Sequence, residues 1–407
     1  MIKLSKSSLL RAGTLCVILS TASAAFAQPA ATDVVVTGNT RFAFDLYGRL
    51  KSTDGNLFFS PYSISTCLAM TWAGARGNTE SQMAGVFHFS TVQTGLHSQF
   101  ASLQKQLNAI QEKKEVALNI ANGLWAQKDH PFLPAFLQIA TRDYAANVQQ
   151  VDFRTDAEAA RNDINNWVSG KTADRIQNLI PSGALDAMTR LVLVNAIYFK
   201  GHWAAQFKAS NTAPAPFTTA SDQGTTAQFM NLTDNFRYAE SDDLQLLELP
   251  YAGGDLSMVV LLPAETNSFK DFENTLSEEK LTGWLGQARK EKVNVFLPKF
   301  KLTQQFALAD TLAAMGMTDA FSPSADFSGM DGARDLYISA VIHKAFVEVN
   351  EEGTEAAAAT AVTVSAMAIA RPMSEYVFRA DHPFVFLIRD IHSGSILFLG
   401  RVTDPSR

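Results

Sequence analysis

Between Val349 and Met367 the chain alternates like a β-strand, yet past Gly353 it carries almost nothing bulkier than threonine. Alternate residues of a strand share one face. Taken alone, the Ala-rich run 355–359 fits a short exposed helix or a linker. The alternation favours a segment that stays outside the protein yet could enter a sheet with its small apolar set inward. That inward set is Thr354, Ala356, Ala358, Thr360, Val362, Val364 and Ala366.

The first 27 residues have the organisation of a secretory signal peptide. Lys3, Lys6 and Arg11 precede a short apolar core, which ends in small residues at Ala27. A membrane anchor needs about 18 apolar residues, and this core is shorter. We therefore expect cleavage after Ala27, a mature chain of residues 28–407 without a membrane segment, and export. The periplasm or the external medium of a Gram-negative-like bacterium is the expected location.

Charge and motif content argue against several classes of function. The formal net charge is −6 and becomes −9 when the three positive residues of the leader are removed. No basic stripe with interleaved aromatic residues is present, so nucleic acid is not an expected partner. The chain has no Gly-x-Ser-x-Gly, His-Glu-x-x-His, Cys-x-x-Cys or phosphate-binding glycine motif. We expect no enzyme activity, no metal and no cofactor.

The mature chain is expected to form one large domain, because no linker, repeat or change in composition divides it. Only Cys67 survives processing, so no internal disulfide can form, and we interpret it as a small buried hydrophobe. A helix is predicted from about Phe272 to Ala288. A strand is predicted over Val293–Lys301.

Two local patterns predict buried structure near the middle of the fold. Ser60 followed by Pro61 is typical of a helix start, with Ser60 as the N-cap. The run Leu191–Trp203 is continuously apolar and predicts a strand that is buried on both faces. Asn195 interrupts that run, and a buried amide requires hydrogen-bond partners. Asn195 therefore predicts polar side chains that reach into the core.

The run Glu351-Glu352-Gly353-Thr354-Glu355-Ala356-Ala357-Ala358 closely resembles the reactive-loop hinge of the serpin family. Further similar segments cover nearly the whole mature chain, including Leu297-Pro298-Lys299-Phe300 and the C-terminal strand pair 378–388 and 395–402. The resemblance implies an α+β fold with a large central mixed sheet and two smaller sheets. It also implies a shell of eight or nine helices and an exposed reactive-centre loop.

The resemblance assigns residues to four functional regions. Asn195 would find its partners in a shutter under the central sheet, where His343 is either a satisfied structural residue or a latch that must break when a new strand enters. Lys299 is an expected ion-pair partner for Glu351 at the breach. The regions are the hinge (Glu351, Glu352, Gly353, Thr354, Glu355, Ala356, Ala357, Ala358, Ala359), the shutter (Ser60, Ser63, Asn195, His343), the breach (Trp203, Lys299, Glu351) and the reactive bond (Met367, Ala368).

The activity implied is inhibition of serine proteases by a suicide-substrate mechanism, in which the cleaved loop enters the central sheet and traps the acyl-enzyme. The family's usual hinge length, counted from Glu351, puts the reactive bond at Met367-Ala368, which suits chymotrypsin-, elastase- or subtilisin-like proteases. A count one residue shorter puts it at Ala366-Met367, and Arg371 would attract trypsin-like enzymes only if the loop were four residues longer. Papain-like cysteine proteases are secondary candidates.

The expected inhibitor is a monomer that is liable to loop-sheet polymerisation. The alternative to inhibition is a non-inhibitory serpin that acts as a binding or carrier protein. Rapid cleavage of the loop without a covalent complex would identify that alternative.

Overall fold

A computed structural model describes residues 33–89, 92–128, 131–264, 269–354 and 376–407. Ten α-helices lie in these ranges, where the resemblance implied eight or nine; the last two have only six and four residues, too short to recognise from helical periodicity. None of the described helices is long and apolar enough to cross a membrane. The helices are α1 (Asp33–Leu50), α2 (Pro61–Trp72), α3 (Gly77–Val86), α4 (Gln93–Glu112), α5 (Pro134–Tyr144), α6 (Phe153–Lys171), α7 (Phe269–Thr275), α8 (Glu278–Gln287), α9 (Ala309–Ala314) and α10 (Ser328–Asp331).

The described strands form two sheets. They are β1 (Leu57–Phe59), β2 (Val116–Gln127), β3 (Asn147–Val151), β4 (Leu191–His202), β5 (Ala213–Thr218), β6 (Gly224–Glu240), β7 (Leu244–Pro250), β8 (Leu256–Pro263), β9 (Arg289–Pro298), β10 (Phe300–Ala307), β11 (Ala340–Val349), β12 (Gly353–Thr354), β13 (Tyr376–Arg379), β14 (Phe384–Asp390) and β15 (Ile396–Val402). The mixed sheet has the order β10-β11-β12-β4-β2-β3.

The second sheet has nine strands on the path β1-β15-β14-β8-β7-β6-β9-β13, with β5 paired to β6. Its length comes from β6, which pairs with β9 from Phe229 to Tyr238 and with β7 from Arg237 to Glu240. This strand joins the two smaller sheets expected from the resemblance into one hydrogen-bonded array.

The mixed sheet is covered on both faces, as the continuously apolar run of β4 predicted. Alternate residues of β4 belong to two different clusters of buried side chains. The second cluster includes Ile164 and Val168 of α6, so this helix covers one face of the sheet. The residues of β4 in the main core are Leu191, Leu193, Ile197 and Phe199, and those in the second cluster are Val192, Val194 and Ala196.

Helix α2 lies against the other face of the mixed sheet, and all of its residues are buried. It begins as the sequence predicted, with Pro61 in the first turn and Ser60 as the N-cap. The Ser60 hydroxyl accepts a hydrogen bond from the backbone N–H of Ser63 at 3.1 Å and donates one to the Leu397 carbonyl at 2.6 Å. The cap therefore ties α2 to the nine-stranded sheet.

Two predicted elements were wrong in their boundaries. The helix expected over residues 272–288 is divided into α7 and α8, because Ser277 caps a new helix by accepting from the Lys280 N–H at 3.2 Å. The strand expected over 293–301 is also divided. It ends at Pro298 in the nine-stranded sheet, and Phe300 begins β10 in the mixed sheet. Lys299 therefore stands where the chain passes from one sheet to the other.

Candidate functional site

Two residues of the hinge, Gly353 and Thr354, are already inside the mixed sheet. After Val349 the chain turns back, and Thr354 pairs antiparallel with Val349 on one side and with Gly201 on the other. Gly353 pairs with His202. Beyond this short wedge, β11 and β4 pair directly and in parallel over seven residues, from Ala340 to Phe346 on β11. We call this direct parallel contact between β11 and β4 the seam.

The turn that leads into β12 depends on an asparagine and a glycine. The Asn350 N–H donates to the Gly353 carbonyl at 2.9 Å, and the Asn350 side chain accepts from the Glu352 N–H at 3.1 Å. Gly353 has a φ of +155°, which side chains rarely adopt, and a Cβ there would lie 2.0 Å from the Gly201 carbonyl oxygen. Only glycine fits this position.

The residues predicted for the breach surround this turn. Lys299 Nζ lies 2.8 Å from Glu351 Oε2, and Thr212 donates a 2.8 Å hydrogen bond to the same carboxylate. Burial opposes ionisation of Glu351, but the hydrogen bonds from Lys299 and Thr212 outweigh it and hold its pKa below the ordinary value. The Glu351 carboxylate therefore stays charged at neutral pH.

Trp203 holds the same turn through its backbone and its indole. Its N–H donates to the Glu352 carbonyl at 2.9 Å, and its indole Nε1–H donates to the Asn350 carbonyl at 2.9 Å. The Phe207 N–H donates to the Glu351 carbonyl at 3.0 Å. The turn is thus fixed by main-chain contacts as well as by the ion pair.

Thr354 is fully buried, and its hydroxyl lies 2.7 Å from the Tyr251 hydroxyl. The Tyr251 ring stacks on Trp203 with centroids 4.8 Å apart, and it lies nearly perpendicular to the Phe199 ring with centroids 5.0 Å apart. Burial raises the pKa of Tyr251, so this phenol remains protonated. The inner end of the hinge is therefore bound in a neutral, apolar pocket.

The four shutter residues lie together in the core beneath the seam. The Ser60 N–H donates to His343 Nε2 at 3.0 Å, which makes Nε2 an acceptor and leaves the ring proton on Nδ1. His343 Nδ1 accordingly donates to Asn195 Oδ1 at 2.5 Å. The Asn195 amide donates to the Ser63 carbonyl at 3.0 Å, and also to the Ser63 hydroxyl.

His343 is fully buried and uncharged. Burial lowers its pKa to about 3, and a hydrogen bond with Asn195 acts in the opposite direction without restoring the ordinary value. His343 on β11 and Asn195 on β4 are direct partners across the seam. The shutter is therefore a neutral hydrogen-bonded link between the two strands that a new strand would have to separate.

Several residues of the site were not predicted from the sequence. Asn122 lies opposite Asn195 in the β2–β4 register and accepts a 2.6 Å hydrogen bond from its amide. Asn122 lies within β2 as Asn195 lies within β4, so matching these two polar residues across the strand pair could have identified it. Tyr251 and Thr212 carry no such signal, because their contacts depend on the packing of one sheet against the other.

Other predicted site residues lie outside the described ranges. These are the hinge residues Glu355, Ala356, Ala357, Ala358 and Ala359 and the reactive bond Met367-Ala368. Within the described ranges, no group of His, Cys, Asp and Glu residues could hold a metal ion. Cys67 is buried and unpaired.

A wedge at one end of a parallel strand pair can be extended into a full strand. Parallel pairs are slightly less stable per residue than antiparallel pairs. A strand entering between β11 and β4 would replace one parallel contact by two antiparallel ones. The geometry is thus suited to strand addition at an internal position of the sheet.

A family model described as "Serpin (serine protease inhibitor)" matches residues 37–405. The chain belongs to the serpin family. This serpin is 46% identical over 380 residues to human leukocyte elastase inhibitor, with 91% of this chain and 99% of the relative covered. A relative of the same name from Xenopus tropicalis is also 46% identical, over 378 residues. These vertebrate relatives lend no support to the expectation of a bacterial type of serpin.

Solved structures agree with this fold. Uncleaved ovalbumin is 35% identical to this serpin, with a TM-score of 0.82 and coverage of 91% of this chain and 100% of ovalbumin. Human thyroxine-binding globulin in complex with thyroxine is 31% identical, with a TM-score of 0.83 and coverage of 92% and 100%. The α+β fold with a central mixed sheet, expected from the sequence, is confirmed.

Proposed function

We propose that this serpin inhibits elastase-like and chymotrypsin-like serine proteases as a suicide substrate. The observation that carries the proposal is the seat of Gly353 and Thr354 between β11 and β4 before any cleavage, where Thr354 pairs with both strands and Gly353 pairs with β4. A protease would cut the loop beyond this seat, and the freed hinge would continue into the seam as an additional strand. The name of the human relative supports an elastase-like target.

The register of the seated residues supports insertion along the whole seam. Each further loop residue would lie opposite a residue one step back in both β11 and β4. Six steps beyond Thr354 is Thr360; six steps back from Val349 is His343, and six steps back from Gly201 is Asn195. A strand that continued in this register would separate the shutter pair and place a hydroxyl between its two side chains.

The chemistry of trapping uses the protease's own mechanism. Its serine Oγ attacks the carbonyl carbon of the residue before the reactive bond, and the amine of the following residue leaves as a new N-terminus. The ester that remains would normally be hydrolysed by water with help from the oxyanion hole. Insertion of the hinge would drag the esterified protease away from its docking position and deform that hole before hydrolysis occurs.

The proposed reactive bond is Met367-Ala368, with Ala366-Met367 as its neighbouring alternative. A medium-sized apolar side chain before the bond suits the pockets of chymotrypsin-, elastase- and subtilisin-like enzymes. Papain-like cysteine proteases would be secondary targets. We further propose that the leader 1–27 is removed on export and that the inhibitor acts outside the cytoplasm as a monomer.

The test is to mix the mature protein with chymotrypsin, pancreatic elastase, subtilisin and trypsin and to separate the products on a denaturing gel. We expect a band at the summed mass with at least one of the first three enzymes, and a released peptide that begins at Ala368 by mass spectrometry. Protease whose active-site serine has been blocked with a sulfonyl fluoride is the matched control and should give no band. Loop cleavage without any stable band would contradict inhibition.

A carrier function is the second candidate, because the fold also matches thyroxine-binding globulin in complex with its ligand. A carrier would turn over as a substrate in the experiment above. It would also gain thermal stability on binding an apolar ligand. The gel experiment and a thermal shift with thyroxine as the probe therefore separate the two candidates.

A further inference from the structure

The hydrogen bond between Tyr251 and Thr354 joins the hinge to a residue outside the mixed sheet. Tyr251 follows β7 of the nine-stranded sheet and forms an isolated bridge with Trp203. Both hydroxyl groups are buried, and they are 2.7 Å apart. The contact therefore crosses from one sheet to the other at the point where the hinge enters.

The Tyr251 side chain is held in one orientation by its neighbours. Its ring is nearly parallel to the Trp203 indole, with an interplanar angle of 10°, and nearly perpendicular to the Phe199 ring, at 74°. The backbone N–H of Tyr251 donates to the Leu256 carbonyl at 2.9 Å, which fixes the main chain at this residue. Because the ring is fixed, the Tyr251 hydroxyl has one position, and Thr354 can bind it only when the hinge is seated in the sheet.

Loss of the hydrogen bond between Thr354 and Tyr251 would be unfavourable. If the hinge slid out of the sheet, the Tyr251 hydroxyl would be left in an apolar pocket, and a buried hydroxyl without a partner is strongly disfavoured. If the hinge shifted by one residue, Thr354 would turn to the opposite face. The hydrogen bond consequently favours both the seated state of the hinge and one register.

We propose that Tyr251 is a positioning residue for protease trapping, which keeps Thr354 seated so that strand insertion starts at once and in a single register after cleavage. This inference rests on the proposed inhibitory function. Insertion competes with hydrolysis of the acyl-enzyme, so a preformed first strand pair raises the fraction of protease that is trapped. Tyr251 acts through its hydrogen bond with Thr354.

The variants that test this role remove one hydroxyl at a time. Tyr251→Phe and Thr354→Val each delete one partner, Thr354→Ser keeps the hydroxyl, and the double variant completes a cycle. Tyr144→Phe is the matched control. Its hydroxyl is also buried and lies 2.7 Å from a single side-chain partner, His97, between α4 and α5.

The first readout needs no protease. We expect hydrogen exchange in the segment 349–354 to be about tenfold faster in Tyr251→Phe and in Thr354→Val than in the wild type. Thr354→Ser and Tyr144→Phe should leave exchange in this segment unchanged. The double variant should be no faster than either single variant, because both deletions remove the same bond.

The second readout is the number of inhibitor molecules consumed for each protease molecule trapped. We expect this ratio to rise several-fold in Tyr251→Phe and Thr354→Val, with an unchanged rate of loop cleavage and with rescue in Thr354→Ser. If the wild type traps no protease, the proposed function fails. If the wild type traps protease and both deletions match it in ratio and in exchange, the role of Tyr251 fails. If Tyr251→Phe does not fold, Thr354→Val decides alone.

Discussion

The two ends of the seam between β11 and β4 are built in opposite ways. At the breach the strands are already separated by two hinge residues, and the turn above them carries an ion pair whose lysine is 39% exposed. At the shutter the strands touch, and His343 and Asn195 form a neutral link in the core. The strands are therefore already parted at the breach, whereas at the shutter they are paired over a buried link.

This difference indicates where the barrier to insertion lies. Extending the wedge from the breach adds strand pairs to a register that is already set. Passing the shutter requires the hydrogen bond between His343 and Asn195 to break and be replaced. We therefore expect substitutions at the breach end to decide whether insertion starts, and substitutions at the shutter to decide how readily the sheet opens without cleavage.

The largest expected effect comes from placing a charge at the breach end of the seam. Thr354→Arg puts a guanidinium at a position that is 0% exposed, and burying an unpaired charge costs several kcal/mol. The variant should be cleaved as a substrate and form no gel-stable complex, whereas Thr354→Ser should trap protease like the wild type. Undiminished covalent trapping by Thr354→Arg would rule out insertion of this residue.

The next largest effect is expected from disrupting the shutter. Asn195→Ala leaves the His343 Nδ1–H and the Asn122 side-chain Oδ1 without their partner, at about 1–3 kcal/mol for each group. The variant should lose thermal stability and form polymers on mild heating much faster than the wild type, as followed on native gels. Asn39→Ala is the control.

Asn39 is also a buried amide, but it donates to Ile396, between α1 and β15. Its removal should lower stability without accelerating polymerisation. Equal polymerisation rates in the two variants would mean that general stability, and not the shutter link, controls opening of the sheet.

How far the sequence could predict this arrangement depended on whether the signal was local. The place of Thr354 in the sheet was predictable because Thr354 belongs to a contiguous run of small alternating residues, and the need of Asn195 for partners followed from its place in an apolar run. Tyr251 could not be found this way, since its partner is 103 residues away and meets it only after two sheets pack together. Boundaries failed for the same reason: Lys299 separates two strands that belong to different sheets.

Lowering the pH is expected to weaken the shutter by a smaller amount. His343 has a folded pKa of about 3 against an ordinary value of 6.5, so below pH 6.5 an opened or unfolded chain binds a proton that the closed chain does not. The stability of the closed state is therefore greatest above pH 6.5 and falls as pH decreases towards 3. One such group contributes a slope of about 1.4 kcal/mol per pH unit.

Between pH 6.5 and 5 the slope comes mainly from buried histidines, because ordinary carboxylates titrate lower and the pKa of Glu351 is held below its ordinary value. His97, whose pKa burial lowers to about 4, adds a slope of the same sign. The slope of unfolding free energy against pH should decrease by one group's share in His343→Gln and in His97→Gln. Only His343→Gln should weaken the pH dependence of polymerisation, and an unchanged profile would argue against a role for its protonation.

The smallest expected effect comes from removing the ion pair of Lys299 and Glu351 at the breach. The pair is partly exposed, and solvent-screened pairs contribute about 0–1 kcal/mol and are also screened by salt; without Lys299, the Glu351 carboxylate keeps the hydrogen bond from Thr212. Lys299→Met should therefore change the melting temperature and the trapping ratio only slightly, and less at high ionic strength. Glu351→Gln, which keeps the hydrogen-bonding shape, should behave alike.

The reason is that the turn is held by backbone donors that neither variant removes, from Trp203 to the Glu352 carbonyl and from Phe207 to the Glu351 carbonyl. If Lys299→Met instead abolished trapping, as is expected of Thr354→Arg, the ion pair and not the paired strand would be what maintains the structure of the breach. A small effect would indicate that the breach depends on the paired backbone and on the buried Thr354. The ion pair would then be a surface reinforcement of a turn that glycine and main-chain hydrogen bonds already define.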